Sequence, residues 1–230
     1  MLRLIVLPVL FFTASNARPT EPASPLTRID HVIVGVANLE EGIVHIQRLT
    51  GVRAVIGGVH PGRGTRNALM SLGDGTYLEL LAPDPAQGPK SEMSRELSGL
   101  KAPSPVGWAV SGPSERGIRS ALKDISLSAS APGSRRKPDG SLLEWVTFGY
   151  AAVTDPLAPF FIIWSDPALH PSRTSPGGCR LVRIALYEPT ADTLRSAIAP
   201  LALPVTVTQA PTPRMRIELK CRRGKVKIGS

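Results

Sequence analysis

Glu79 stands in the middle of an apolar run, between Leu78 and Leu80 in "GDGTYLELLAPDP". An ionised carboxylate in such a place costs several kcal/mol to bury unless something pairs with it. A suitable partner lies upstream, His31 in "RIDHVIVGVAN". Strand alternation puts Ile29, His31 and Ile33 on one face of the first strand, and Tyr77, Glu79 and Leu81 on one face of the later strand. If both faces look into one hollow, an imidazole and a carboxylate meet there. Two chemistries are then open. A neutral histidine nitrogen and a carboxylate oxygen suit divalent zinc, iron, nickel or manganese. A catalytic metal site usually has three protein ligands, and His60, on the Gly-rich turn "HPGRGT", is the candidate third, against an equal reading as a surface turn residue. The other chemistry is a metal-free His31–Glu79 pair that binds a polar ligand group or acts as a general base. His170, in "LHPS", is a further candidate ligand but reads better as structural, and His45 reads as surface.

The stretch "HPGRGTRNAL" offers a second kind of chemistry. Gly62 and Gly64 permit positive φ or close backbone approach. Their amides, with Arg63 or Arg66, could hold a carboxylate or phosphate; a wide hairpin loop is the plainer reading. Asn67 alternates with Ala68 and is expected to point into the hollow. No GxSxG, HExxH or strand-borne GxGxxG occurs, so the usual hydrolase and dinucleotide signatures are missing.

The elements that must position these residues follow from the apolar pattern. A strand at "RIDHVIVGVAN" leads into a helix, "LEEGIVHIQRLTG", with Leu39, Ile43, Ile46 and Leu49 at helical spacing and Gly51 at its end. Strands follow at "VRAVIGGV", "RNALMSLG" and "TYLELLAP", the last two joined by a DG turn. A connector with a helical turn near Glu92 to Leu97 leads to a second round. Its members are a strand at "VGWAVSG", a helix capped by Ser114, a weak strand at "SLSASAPGS", and strands at "SLLEWVTFGY" and "PFFIIWSD". The βαβββ order thus appears twice, and both fourth strands end in Asp-Pro, at Asp84-Pro85 and Asp166-Pro167. From about Gly178 the order starts again as a partial third unit.

The 230 residues are 42% hydrophobic, enough for one sizeable core or two small ones. Net charge is +9, and some of the excess sits in "PRMRIELKCRRGKVKIGS". That tail lacks interleaved aromatics, so a single-strand stacking platform is not supported; a charged edge strand is the expectation. No specific nucleic-acid partner is expected. Cys179 and Cys221 lack metal-site spacing; in an exported protein they could form one disulfide, and in a cytosolic one they would be core thiols. "MLRLIVLPVLFFTASNA" (1–17) has the cationic start, apolar run and small residues of a signal peptide. The protein is therefore expected in the periplasm or secreted, or in the cytoplasm if this segment is not a signal. Residues 18–27 read as a Pro-rich linker. No membrane span is expected, since the apolar run is well short of the ~20 residues needed.

The stretches "DHVIVGVANLEEGI", "HPGRGTRNALMSLGDGTYLELLAPDP" and "PFFIIWSDPALHPS" resemble the vicinal oxygen chelate superfamily, which includes glyoxalase I, extradiol dioxygenases and bleomycin-resistance proteins, and within it the glyoxalase-like domain proteins. The resemblance implies an α+β fold in which paired βαβββ units (28–85 and 105–167) form curved mixed sheets around a cup. A glyoxalase-like domain would span 28–172, with the partial third unit, 173–230, packed on it. It also implies metal ligands on the first and fourth strands of each unit. His31 and Glu79 fit the first unit. In the second, Val106, Trp108 and Val110 are no ligands, and counting back from Asp-Pro puts Phe161 where Glu79 stands. Two functions follow. One is a metal-assisted lyase, isomerase or dioxygenase acting on a small oxygenated metabolite through His31 and Glu79. The other is a metal-free binder of a small molecule, neutral or anionic, with Tyr77, Trp108 and Phe161 lining the cup and Asn67 and Arg63 contacting the ligand. A homodimer is compatible with either.

Overall fold

The computed structural model describes residues 27–153 and 155–229. The expected signal peptide and all of the expected linker but Thr27 lie outside the described residues.

Strand β1 (Arg28–Gly35) runs into helix α1 (Leu39–Thr50). Asn38 caps the helix, accepting from the Glu41 N–H, and Glu40 and Glu41 occupy the first turn, where the helix dipole favours them. Gly51, at φ 77°, ends it in the left-handed region. The helix buries Leu39, Ile43 and Ile46 as the spacing predicts. Its last turn differs, since Leu49 is exposed and Thr50 is buried, its hydroxyl bonded to the Ile46 carbonyl. Strands β2 (Val55–His60), β3 (Thr65–Ser71) and β4 (Tyr77–Pro83) complete the first unit. A short helix α2 (Glu92–Ser98) lies in the connector. The second unit is β5 (Ser104–Ser111), α3 (Glu115–Ala121), β6 (Ala131–Arg136), β7 (Leu142–Phe148) and β8 (Phe160–Trp164).

The eight strands close into a barrel in the order β1-β4-β3-β2-β6-β7-β8-β5. Within each half the first strand pairs in parallel with the fourth, β1 with β4 and β5 with β8. The halves meet at two seams. The β1–β5 seam is long and antiparallel. The β2–β6 seam rests on one pairing, Val59 with Arg136. Gly58 makes that seam feasible. Its φ is 139°, and a Cβ there would collide with the Arg136 carbonyl.

Inside and outside are chemically distinct. Outward residues such as Val32, Val34, Leu78, Leu80, Trp108 and Phe161 form the main core beneath the helices. Inward residues, among them Leu69, Tyr77, Leu143, Trp145, Ile162 and Trp164, form a second cluster in the barrel. The first strand departs from simple alternation. Its register against β5 skips from Ile29 to His31, a bulge at Asp30. Ile29 therefore joins the outer core, while His31 and Ile33 line the barrel cavity. The expectation that all three share one face is corrected by that single extra residue.

The C-terminal strands β9 (Cys179–Glu188), β10 (Val205–Gln209), β11 (Arg214–Cys221) and β12 (Gly224–Ile228), with helices α4 (Pro171–Thr174) before them and α5 (Ala191–Ile198) after β9, repeat the βαβββ element order. Their sheet order is β10-β9-β11-β12, not that of the barrel halves. They form a separate small sheet whose strand pairing differs from that of the barrel halves. Its inner face shares the main core through Ile184, Met215 and Ile217, with Leu194 of α5 packed there as well. The basic tail forms β11 and β12. Of these two β12 is an edge, and it carries Lys225 and Lys227. A disulfide joins Cys179 to Cys221, facing residues of β9 and β11. Among the described residues no helix is long and apolar enough to cross a membrane.

Candidate functional site

The barrel holds a cavity of about 460 Å³ that is open to solvent. His31 from β1, His60 from the end of β2, Asn67 from β3 and Glu79 from β4 all line it. Glu79 is thus on the inside of the fold and 6% exposed. Its Oε1 accepts a hydrogen bond from Asn67 Nδ2 at 2.6 Å, and His60 Nε2 lies 3.8 Å from the same oxygen. Its Oε2 faces His31 Nε2 at 3.7 Å.

Each group is held from behind. His31 is fixed through Nδ1, 2.8 Å from Asp30 Oδ1, and stacks on Tyr77 with ring centroids 4.6 Å apart. Asp30 is fully buried in the bulge and also receives Trp164 Nε1 and His170 Nε2, each 3.1 Å from Oδ2. Burial works against its charge, but the hydrogen bonds from His170 and His31 hold its carboxyl well below the usual carboxylate range. A carboxylate can only accept, so Asp30 takes an N–H from each imidazole. His31 then presents Nε2 to the cavity. His60 Nδ1 lies 2.9 Å from Thr65 Oγ1. Burial pushes the His60 imidazole down to about 4, Glu79 notwithstanding, so it is neutral at pH 7. Burial likewise pushes the Tyr77 phenol well above its ordinary value, and it stays protonated.

The expected site residues divide cleanly. His31, His60, Asn67, Arg63, Tyr77 and Glu79 line the cavity. Trp108 and Phe161 do not; both belong to the outer core, and Trp108 Nε1 donates to the Leu157 carbonyl at 2.8 Å. They sit on the other face of their strands, and on β8 the neighbours of Phe161, Phe160 and Ile162, line the cavity instead. His170 reaches Asp30 from outside the barrel and caps α4. His45 is exposed. In "HPGRGT" Gly62 and Gly64 have φ of 71° and 69°, but the Gly62 N–H donates to Gln87 and Arg66 pairs with Glu40. Gly62 is thus engaged by the connector and Arg66 by helix α1, while Arg63 stays at the cavity.

The sequence reading missed Asp30, Arg135, Trp145 and Trp164. Arg135, from β6, is 4% exposed and lines the cavity. Its Nη1 donates to Asn67 Oδ1 at 3.3 Å, so the Asn67 amide bridges the Arg135 guanidinium and the Glu79 carboxylate. Gly57 leaves the space: a Cβ there would overlap both Asn67 Oδ1 and Arg135 Nη1. Of the four, only Asp30 gave a visible sign, a second ionisable group beside His31 in an apolar strand.

The resemblance to metal-dependent relatives calls for a test of the donor set. Register locates the second-half counterparts of the expected ligands. His31 pairs with Tyr77 across β1 and β4, and Ala109 pairs with Phe160 across β5 and β8. Ala109 and Ile162 therefore correspond to His31 and Glu79, one residue on from the expected Phe161, and neither is a ligand. In the first half the two imidazoles address different oxygens of Glu79, one of them already taken by Asn67. Among the described residues no group of three or more His, Cys, Asp or Glu is disposed to hold a metal ion. The residues present do not fit a metal centre of the expected kind.

A barrel of two βαβββ halves around a cup with a His–Glu pair is the architecture of the vicinal oxygen chelate superfamily. Within it, the model of the family described as "Glyoxalase-like domain" matches residues 29–202, and the chain belongs to that family. A hypothetical protein from Staphylococcus aureus has a similar structure, with TM-score 0.65 and 11% identity over 88% of this chain and 98% of that one. Methylmalonyl-CoA epimerase from Mycobacterium tuberculosis aligns with TM-score 0.44 and 20% identity over 64% of this chain and 93% of that one. An epimerase from Streptomyces coelicolor gives TM-score 0.44 and 19% identity over 61% and 99%. No curated protein sequence matches the chain.

Proposed function

We propose that the cup binds a small oxygenated metabolite and that Glu79 moves a proton on it, as in an isomerase or lyase. The observation that carries this reading is the division of labour at one buried carboxylate. Oε1 is anchored by Asn67, while Oε2 is turned to the cavity beside His31 Nε2. A base needs one fixed and one available oxygen within reach of its proton. In the proposed step the C–H bond next to a substrate carbonyl breaks and its proton goes to Glu79 Oε2. The electron pair moves to the carbonyl oxygen, and the carbonyl re-forms as Glu79 returns the proton to the same carbon. His31, held through Nδ1 by Asp30, turns Nε2 toward the same space and would orient the substrate beside Glu79 Oε2. No step needs a metal ion.

The second reading, a binder without chemistry, draws on the aromatic walls, where Trp145 and Trp164 stand 5.2 Å apart. Proton exchange separates the two. Pyruvate, 2-oxobutyrate and hydroxyacetone are incubated with the protein in D2O and followed by proton NMR. The enzyme reading expects faster loss of an α-proton signal from at least one of them, and a fall of at least about 100-fold in that rate for Glu79→Gln. Binding without exchange by any of them leaves the binder. Export remains part of the proposal and is supported by the Cys179–Cys221 disulfide, which suits an oxidising compartment. Dimerisation is likewise proposed only as compatible with the fold.

A further inference from the structure

We propose that the ligand of the cup is a small organic acid with a flat apolar body, its carboxylate bound by Arg135. This rests on the cup being the ligand site; it does not depend on Glu79 moving a proton.

Arg135 is a permanent cation with five N–H donors in a planar fork. Inside the barrel it makes one hydrogen bond, to Asn67, and its Nε meets no acceptor among the described residues. A buried guanidinium left so underused is costly unless a further acceptor arrives. The acceptor that fits a planar fork best is a carboxylate bound through both oxygens. The two nearby carboxylates, Glu79 in the cavity and Asp30 behind it, are committed elsewhere. Asp30 is enclosed by His31, His170 and Trp164, and Glu79 reaches Arg135 only through the Asn67 amide. The rest of the cavity is suited to an apolar body, with Tyr77, Trp145, Phe160 and Trp164 forming much of its wall. Its volume, about 460 Å³, is in the range of small-molecule sites. Arg63 lines the cavity as well and is exposed, a second cation on the ligand's path.

The three tryptophans make the test direct. Trp145 and Trp164 line the cavity, while Trp108 lies in the outer core. In protein labelled with nitrogen-15 their indole signals separate cup binding from binding elsewhere. 2-Naphthoate is titrated against its neutral analogue 2-naphthamide. The expected result is that the acid shifts the Trp145 and Trp164 signals with Trp108 little moved, at a Kd at least tenfold below that of the amide. Arg135→Gln should abolish the preference. Equal affinity for acid and amide, no binding of either, or a preference that survives Arg135→Gln overturns the proposal. Should Arg135→Gln fail to fold, the wild-type comparison and Gly57→Ala, which crowds the Arg135 guanidinium, decide it. A preserved preference in Gly57→Ala, with its Arg135 displaced, also overturns it. An acid preference without proton exchange on the 2-oxo acids would sink the proposed chemistry while leaving this assignment intact.

Discussion

At the scale of single residues, the site is a set of buried ionisable groups whose charges are fixed by their neighbours. Asp30 is the centre of that set. Replacing it with Asn leaves one acceptor oxygen where His31 and His170 each had their own and sets an amide N–H against one of them, so a loss of about 3 kcal/mol in denaturant-measured stability is expected. His60 gives a pH signature. It is held near 4 in the folded protein against 6.5 ordinarily. Between those values the unfolded chain binds more protons than the folded one, so stability rises with pH across that window. Asp30 acts in the same sense further down, its contribution fading as pH falls below its ordinary carboxyl range. Urea unfolding should therefore show a loss on the order of 3 kcal/mol between pH 7 and pH 4 attributable to His60. His60→Gln should flatten that part of the curve. The His31–Glu79 pair was readable in the sequence because each is a polar residue in an apolar strand, where burial demands a partner. Arg135 was not. It follows Ala, Pro, Gly and Ser in "APGSRR", which carries no alternation, and only the pairing of β6 with β7 turns it inward.

At the scale of elements, parity decides which side chains enter the cup. One extra residue in β1, Asp30, sends Ile29 out and keeps His31 in. A count from Asp-Pro chose Phe161, while the register puts Phe160 and Ile162 inside. Element existence was legible from hydrophobic period and turn residues. Side-chain facing was not, because bulges leave no mark in composition. The C-terminal unit teaches the same lesson about topology. Its element order matches the halves of the barrel, yet β10 lies directly beside β9, and nothing in the order of elements fixes which strands pair. The disulfide ties that sheet together across a separation of 42 residues, worth about 4 kcal/mol in the chain-entropy account. Reduction, or the double change Cys179→Ser and Cys221→Ser, should lower the melting temperature by many degrees while the barrel cavity still binds its probe. Loss of binding in proportion to the loss of the bond would show that the sheet shapes the cup.

At the scale of the whole molecule, barrel and C-terminal sheet share one apolar core. Thr27 Oγ1 donates to the Leu201 carbonyl, and the Tyr150 hydroxyl donates to the Ala197 carbonyl, at the same junction. Far-ultraviolet circular dichroism and tryptophan fluorescence should therefore report one coincident unfolding transition. All three tryptophans are in the barrel, while the backbone signal includes the small sheet. Two separated transitions would mean that the units fold independently.

The lone pairing between Val59 and Arg136 has a kinetic meaning. A cylinder stitched along one side and merely buttoned along the other parts at the button, and Arg135 and His60 flank it. Amide hydrogens of β2 and β6 should exchange with deuterium sooner than those of β1 and β5. An acid seated on Arg135 would bridge the gap and slow them.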